Sequence, residues 1–220
     1  MGIRATKPNE LFHIDVTIIK LLDGTRAYLH GVIDNYSRKI LGWKLATRLE
    51  AGATCEVLMQ AARFLPNESE PATVIADSGV ENVNSQVDEL LNLGRLRRVL
   101  AQVEVAFSNS LIEAWWRSLK HNHLFLRHLD SFTTLQRLVA FYVDEHNTKM
   151  PHSAWGGQTP DEIYFGRGAD VPDELAAART RARKQRMETN RNLACGDCRA
   201  SLDEDDPIRP LPPHAREIAA

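Results

Sequence analysis

The chain has 220 residues, a formal net charge of −2 and an apolar fraction of 43%, enough for one ordinary domain with a sizeable core and some length to spare. Nowhere do eighteen apolar residues run together, and "MGIRATKPNE" lacks the apolar stretch of an export signal; neither a membrane span nor secretion is indicated, and a cytoplasmic protein is expected. The slightly acidic balance exerts no global pull on nucleic acid, so any such binding must come from local basic patches. Cys55, Cys195 and Cys198 are too few and too unevenly spaced for a disulfide framework, which agrees with a reducing compartment.

Along the chain, residues 12–19, 27–33 and 40–46 are three β-type runs, separated by turns at Asp23-Gly24 and at "DNYSRK", the pattern of an antiparallel meander. In the first run Phe12, Ile14, Val16 and Ile18 would share one face, and His13, Asp15 and Thr17 the other. "ATCEVLMQAARFL" has helical spacing and is expected to end at Pro66. "ATVIA" (72–76) is short and wholly apolar, the mark of a strand buried on both faces. A helix is predicted over roughly 83–93, closed by Gly94, then a strand in "LRRVLAQVEV". "NSLIEAWWRSLKHNHLFLRHL" reads as one long helix and "TTLQRLVAFYVDEHN" as another, before the Gly- and Pro-marked "PHSAWGGQTPDEIYFG". Strands first, then strands mixed with helices, predict an α/β sheet covered by helices.

Beyond Gly168 the composition changes. "DELAAARTRARKQRMETNR" is read as a solvated helix, with a phosphate-binding arm built on Arg179, Arg181, Arg183, Lys184 and Arg186 as the alternative. The last stretch, rich in Pro and acids, is expected to be disordered. Cys195 and Cys198 have the spacing of half a zinc site, but only His214 offers itself downstream, which is a weak signal for metal.

Three carboxylates stand out. Asp15 interrupts a good strand, and a carboxylate near a core is costly unless paired or bound to metal. Asp77 follows the buried run directly, where open α/β sheets place ligands, although a turn or cap explains it as well. Glu113 opens the long helix, where Ser110-Leu111-Ile112-Glu113 also reads as a capping box. Brought to one sheet edge, the three would repel one another and need a cation, and oxygen-only ligands suit Mg²⁺ or Mn²⁺. Between Asp77 and Glu113 lie 35 residues.

At this point the chain resembles the DDE transposases of bacterial insertion sequences and the retroviral-type integrases, whose cores carry two aspartates and a glutamate with that last spacing. The resemblance rests on "ELFHIDVTII", "YLHGVIDNYSRKILGW", "VIADSGVEN", "SNSLIEAWWRSLK" and "HNTKMPHSAWGGQTPDEIY". It implies a catalytic core over residues 8–167 with an RNase H-like α/β fold, a mixed sheet of about five strands with helices on both faces, followed by a partly disordered 168–220 tail. Asp15, Asp77 and Glu113 are implied as catalytic metal ligands, Lys120 as the family's lysine after its glutamate, and Arg117 shares that helix face as a further DNA contact. An i,i+4 ion pair with Glu113 is the plain alternative for Arg117. The activity implied is Mg²⁺-dependent phosphodiester cleavage and strand transfer, with Mn²⁺ able to substitute, at two metals about 3.5–4 Å apart. Transposon ends and target DNA would be the substrates, and a homo-oligomer on DNA the working form.

Departures from the pattern are Ser108-Asn109 where the family has Asp-Asn, and Met150 where it has Arg before Pro-His. No helix-turn-helix precedes the core, so end recognition is expected from a separate polypeptide, an upstream segment or the basic tail. The rival to a transposase core is a non-catalytic DNA-binding or regulatory fragment, and a nuclease of the same fold that cuts without joining is a third possibility. Asp34 matches the family too, but as a turn residue. Of Trp115 and Trp116 at least one is expected in the core, His13 is expected to pack or bond locally, and His121, His123 and His128 are expected at the surface.

Overall fold

The structure is a computed structural model that describes residues 4–100 and 109–200, with side chains in the last helix as far as Asn192. The chain divides after Pro172 into two units.

In the first unit, β1 (Leu11–Lys20), β2 (Arg26–Asp34) and β3 (Ile40–Ala46) form an antiparallel meander, and β4 (Ala72–Ala76) and β5 (Leu96–Leu100) add to it in parallel. The strand order is β3-β2-β1-β4-β5, a mixed five-stranded sheet. Gly24 makes the first turn with φ of +87°, a conformation glycine adopts without Cβ strain. The second turn is held by Asp34, which is fully buried. Its Oδ1 accepts from Asn9 N at 3.0 Å, and its Oδ2 from Ser37 N and Oγ, both at 2.7 Å.

Helices cover both faces. On one side, α1 (Ala51–Ala62) and α2 (Ser85–Leu91) enclose a core of Phe12, Ile14, Val32, Leu41, Val57, Leu58 and Val74. On the other, α3 (Ser110–Asn122) and α4 (Phe132–Thr148) pack against Ile19, Leu29, Ile33, Ile40 and Leu45. Removing such side chains from water contributes about 1.5–3 kcal/mol each, and β1, being central, contributes to both cores. A short helix, α5 (Pro160–Tyr164), follows a true capping box made by Thr159 and Glu162. Among the described residues no helix is long and apolar enough to cross a membrane.

Several boundaries differ from the sequence reading. In β1 the expected apolar face holds only for Phe12 and Ile14; Val16 is half-buried and Ile18 is 49% exposed, whereas His13, Thr17 and Ile19 on the opposite face are buried. α1 stops at Ala62, ahead of Pro66, because Arg63 to Leu65 turn back on the helix. The single long helix expected over 109–129 is two pieces, α3 and a 3-10 turn at Leu124–Leu126, broken at His123. His123 itself is buried against Tyr142 and bonded to Leu138 O at 3.2 Å, so the break lets the ring turn inward and the surface expectation is wrong for it.

The second unit contains most of α6 (Val171–Ala200). The remaining terminal stretch expected to be disordered, and the side chains of Cys195, Cys198 and His214, lie outside the described residues.

Candidate active site

Asp15 lies in the middle of β1, with its side chain on the α3 face of the sheet. Two rungs before it the parallel pairing of β1 with β4 ends, at His13 opposite Ile75. Asp77 directly follows Ala76, the last residue of β4, the strand beside β1. Glu113 comes from the first turn of α3, which packs on β1.

These positions share an electrostatic field. The Asp15 carboxyl is pushed up from its ordinary value to about 6, first by burial and then by the like charges of Asp77 and Glu113; bonds from Val16 N and Trp116 oppose the shift. Lys120, one helical face down from Glu113, is lowered by burial while the charge of Asp15 draws it the other way. The charges of Asp77, Glu113 and Lys120 thus all reach Asp15. Yet among the described residues no three His, Cys, Asp or Glu side chains stand close enough to hold a metal ion. Asp77 is engaged with its own loop: its Oδ1 accepts from Gly79 N at 3.1 Å and from Asn82 Nδ2 at 2.5 Å.

The capping role considered for Glu113 is not realised, because the cap of α3 is Asn109 and Ser110 already lies inside the helix. Nor do Glu113 and Arg117 form an ion pair within 4.0 Å among the described residues. Both side chains are exposed.

Trp116, Gly31, Asn109 and Asn35, to which the sequence reading gave no part in positioning the carboxylates, shape this region. Trp116 donates from Nε1 to Asp15 Oδ2 at 2.9 Å. It reaches there because Gly31 sits directly opposite Asp15 across the β1–β2 ladder; a Cβ at Gly31 would lie 2.7 Å from the indole. Asn109, instead of capping α3 with its side chain, donates from Nδ2 to Ile14 O at 3.1 Å and contacts His13 Nδ1 through Oδ1 at 3.2 Å. Asn35 Nδ2 meets His13 Nε2 at 2.8 Å, so this buried ring accepts at Nε2 and carries its proton on Nδ1. The start of α3 is thereby pinned to the strand that carries Asp15. For Trp116 a signal existed: it lies three residues after Glu113, on the same helical face. Both tryptophans are buried, with ring centroids 4.8 Å apart.

Comparison with known proteins fits this architecture. Two family profiles, both described as Integrase core domain, match the chain, one over residues 5–110 and the other over 95–160. The chain belongs to the DDE transposase/integrase superfamily. It is 27% identical over 162 residues to the transposase InsF for insertion sequence IS3A of Escherichia coli (strain K12), covering 72% of this chain and 55% of that protein. To the transposase for insertion sequence element IS904 of Lactococcus lactis subsp. lactis (strain IL1403) it is 24% identical, covering 73% and 63%. The chain thus spans between about half and two thirds of the length of these curated relatives. Among solved structures, the HTLV-2 integrase catalytic core domain in complex with magnesium, in its trimeric form, superposes with a TM-score of 0.59 at 19% identity, covering 73% of this chain and 99% of that one. A chain of the simian T-cell lymphotropic virus intasome superposes with a TM-score of 0.62 at 16% identity, covering 74% and 57%. The five-stranded mixed sheet with helices on both faces is therefore the integrase-core fold of this superfamily.

Proposed function

We propose that this chain is a transposase catalytic core that cleaves phosphodiesters and transfers DNA strands during integration of a mobile element. The observation that carries this reading is the state of Asp15, whose charge is disfavoured by burial and by the fields of Asp77 and Glu113 together. A hard divalent cation relieves such a set. By the chemistry of their donors Asp15, Asp77 and Glu113 suit Mg²⁺ or Mn²⁺ and would hold it; when bound, the ion supplies Lewis-acid stabilisation of charge on a phosphodiester. Trp116 holds one Asp15 oxygen in place through its Nε1 hydrogen bond. Lys120 and Arg117, on the Glu113 face of α3, would hold substrate phosphate oxygens.

The partners this reading implies are transposon-end and target DNA and further copies of this chain, with end recognition from a separate helix-turn-helix polypeptide, an upstream segment or the basic tail. Support comes from the superfamily and from relatives whose structures are described as a magnesium complex, as trimeric and dimeric forms, and as an intasome.

One observation favours a second reading, a DNA-binding fragment without catalysis: Asp77 Oδ1 is engaged by its own loop, through Gly79 N and Asn82 Nδ2. Purified protein incubated with labelled transposon-end or generic duplex DNA and Mg²⁺ separates the readings. Joined product is the expected result; cut product alone indicates a nuclease, and a shifted band with no chemistry indicates the binding fragment.

A further inference from the structure

From Arg179 to Asn192, every side chain of α6 is exposed. This stretch carries Arg179, Arg181, Arg183, Lys184, Arg186 and Arg191 against one acid, Glu188, within a chain whose net charge is −2. The helix is locally well specified: Asp173 and Glu174 lie in its first turn, where the helix dipole favours acids, and Ala176, Ala177, Ala178 and Ala182 are strong helix formers. Its charge is not compensated internally. Among the described residues its one ion pair is Lys184 with Glu188, at 4.0 Å between two exposed side chains, which is worth little in water.

The cations are also sorted by face. At 3.6 residues per turn, Arg179, Arg183 and Arg186 fall within an arc of about 60° and span about 10 Å of helix axis. Between Arg179 and Asn192 no acid shares that arc; Glu188 lies on the opposite side with Arg181 and Lys184. Like charges at i,i+3 and i,i+4 destabilise an isolated helix, so this row raises the free energy of α6 until an anion neutralises it. Each strand of duplex DNA presents a phosphate about every 3.4 Å along its axis, so three guanidiniums over about 10 Å span about three phosphate steps of one strand. Guanidinium forks bind phosphate oxygens in pairs.

We propose that the Arg179, Arg183 and Arg186 face of α6 is a sequence-independent contact for the phosphate backbone of duplex DNA. It supplies the local basic patch that an acidic chain needs, and it does not depend on the carboxylates of the first unit.

The test is a salt titration of binding between the full chain and a labelled random-sequence duplex, with EDTA present so that no metal-dependent step contributes. Each phosphate contact contributes about 0.9 to the slope of log K against log salt. The variant R179Q/R183Q/R186Q is expected to bind about tenfold or more weakly, with the slope smaller by up to about 2.7. Glutamine preserves helix propensity, and circular dichroism and melting confirm that the variant folds. R181Q/K184Q/R191Q removes the same charge from the other side and should change the slope less. An unchanged slope in the first variant, an equal loss in the second, or competition by polyglutamate as effective as by duplex at equal charge would each overturn the assignment. Failure of the carboxylate reading would leave these binding results unchanged, because they are measured without metal.

Discussion

Asp15 and Asp34 are two acids on neighbouring strands of one sheet, both buried enough to raise their carboxyls above the ordinary range. Their surroundings differ. Asp34 is saturated by neutral donors, from Asn9 N, Ser37 N and Ser37 Oγ, and Arg38 lends a favourable charge. Asp15 has a side-chain donor in Trp116 and two like charges, Asp77 and Glu113, acting against it. A carboxylate that builds the fold has its lone pairs met by the fold; one left with unmet negative charge fits a role completed from outside.

The largest expected effect is on the saturated side. Asp34→Ala would leave the buried Ser37 amide and hydroxyl and the half-buried Asn9 amide without their acceptor, at about 1–3 kcal/mol each before relaxation. A loss of about 3–5 kcal/mol in denaturant unfolding is expected, and a loss below about 1 kcal/mol would mean that the turn does not depend on this acid.

Next comes Glu113→Gln, the counterpart on the unsaturated side. Because no capping box involves Glu113, melting should stay near wild type. DNA cleavage and joining should fall at least about a hundredfold, which is about 2.7 kcal/mol of barrier. Wild-type rates in a normally folded variant would remove Glu113 from the site.

Asp15→Asn should reverse the usual sign of a buried substitution. The folded carboxyl titrates near 6 against an ordinary 3.8, so the fold binds that proton more tightly than the unfolded chain does. Its stabilising contribution is full below the ordinary value and is lost as pH rises through about 6. At pH 7 without metal the ionised group therefore destabilises the fold. Asparagine keeps an acceptor for Trp116 without the charge, and after allowance for solvent screening a gain of about 1–2 kcal/mol in EDTA is expected. The gain should shrink toward pH 5, and the variant should lose the Mg²⁺- and Mn²⁺-dependent rise in Tm expected of wild type. Identical responses of both proteins to metal would break the contrast between the two aspartates.

The smallest effect is Trp116→Phe, which keeps an aromatic ring in the core but deletes the N–H that reaches Asp15 and the outer part of the indole that lies against Gly31. About 1 kcal/mol of stability should be lost. The more diagnostic readout is the Mg²⁺ concentration for half-maximal stabilisation, which should rise if Trp116 orients Asp15 and stay fixed if the indole only fills space.

Much of the architecture was legible in the sequence because it follows from local chemistry. Period-two alternation and turn residues marked β1 to β3, and the short apolar run at 72–76 matched β4 residue for residue. The order of elements then implied a mixed sheet with two covered faces. Residue types made Asp15, Asp77 and Glu113 candidates, each with a plain alternative, and it was the resemblance to the family, through the 35-residue interval, that implied a shared role for them. What the sequence alone could not decide was each residue's partner. Ser110 to Glu113 satisfied a capping pattern, yet the N-cap falls one residue earlier, at Asn109, whose side chain bonds across to β1 instead of to its own helix. The 109–129 segment is amphipathic nearly throughout, yet it breaks at His123, where burying a ring outweighs one more turn of helix. Trp116 reads in sequence as a core aromatic; only the register that sets Gly31 opposite Asp15 opens the space through which its N–H finds the carboxylate. Periodicity and turn chemistry act over a few residues and are written in the order of the chain. A hydrogen bond across 101 positions exists only after the sheet has closed and the helix has docked, so tertiary structure alone decided it.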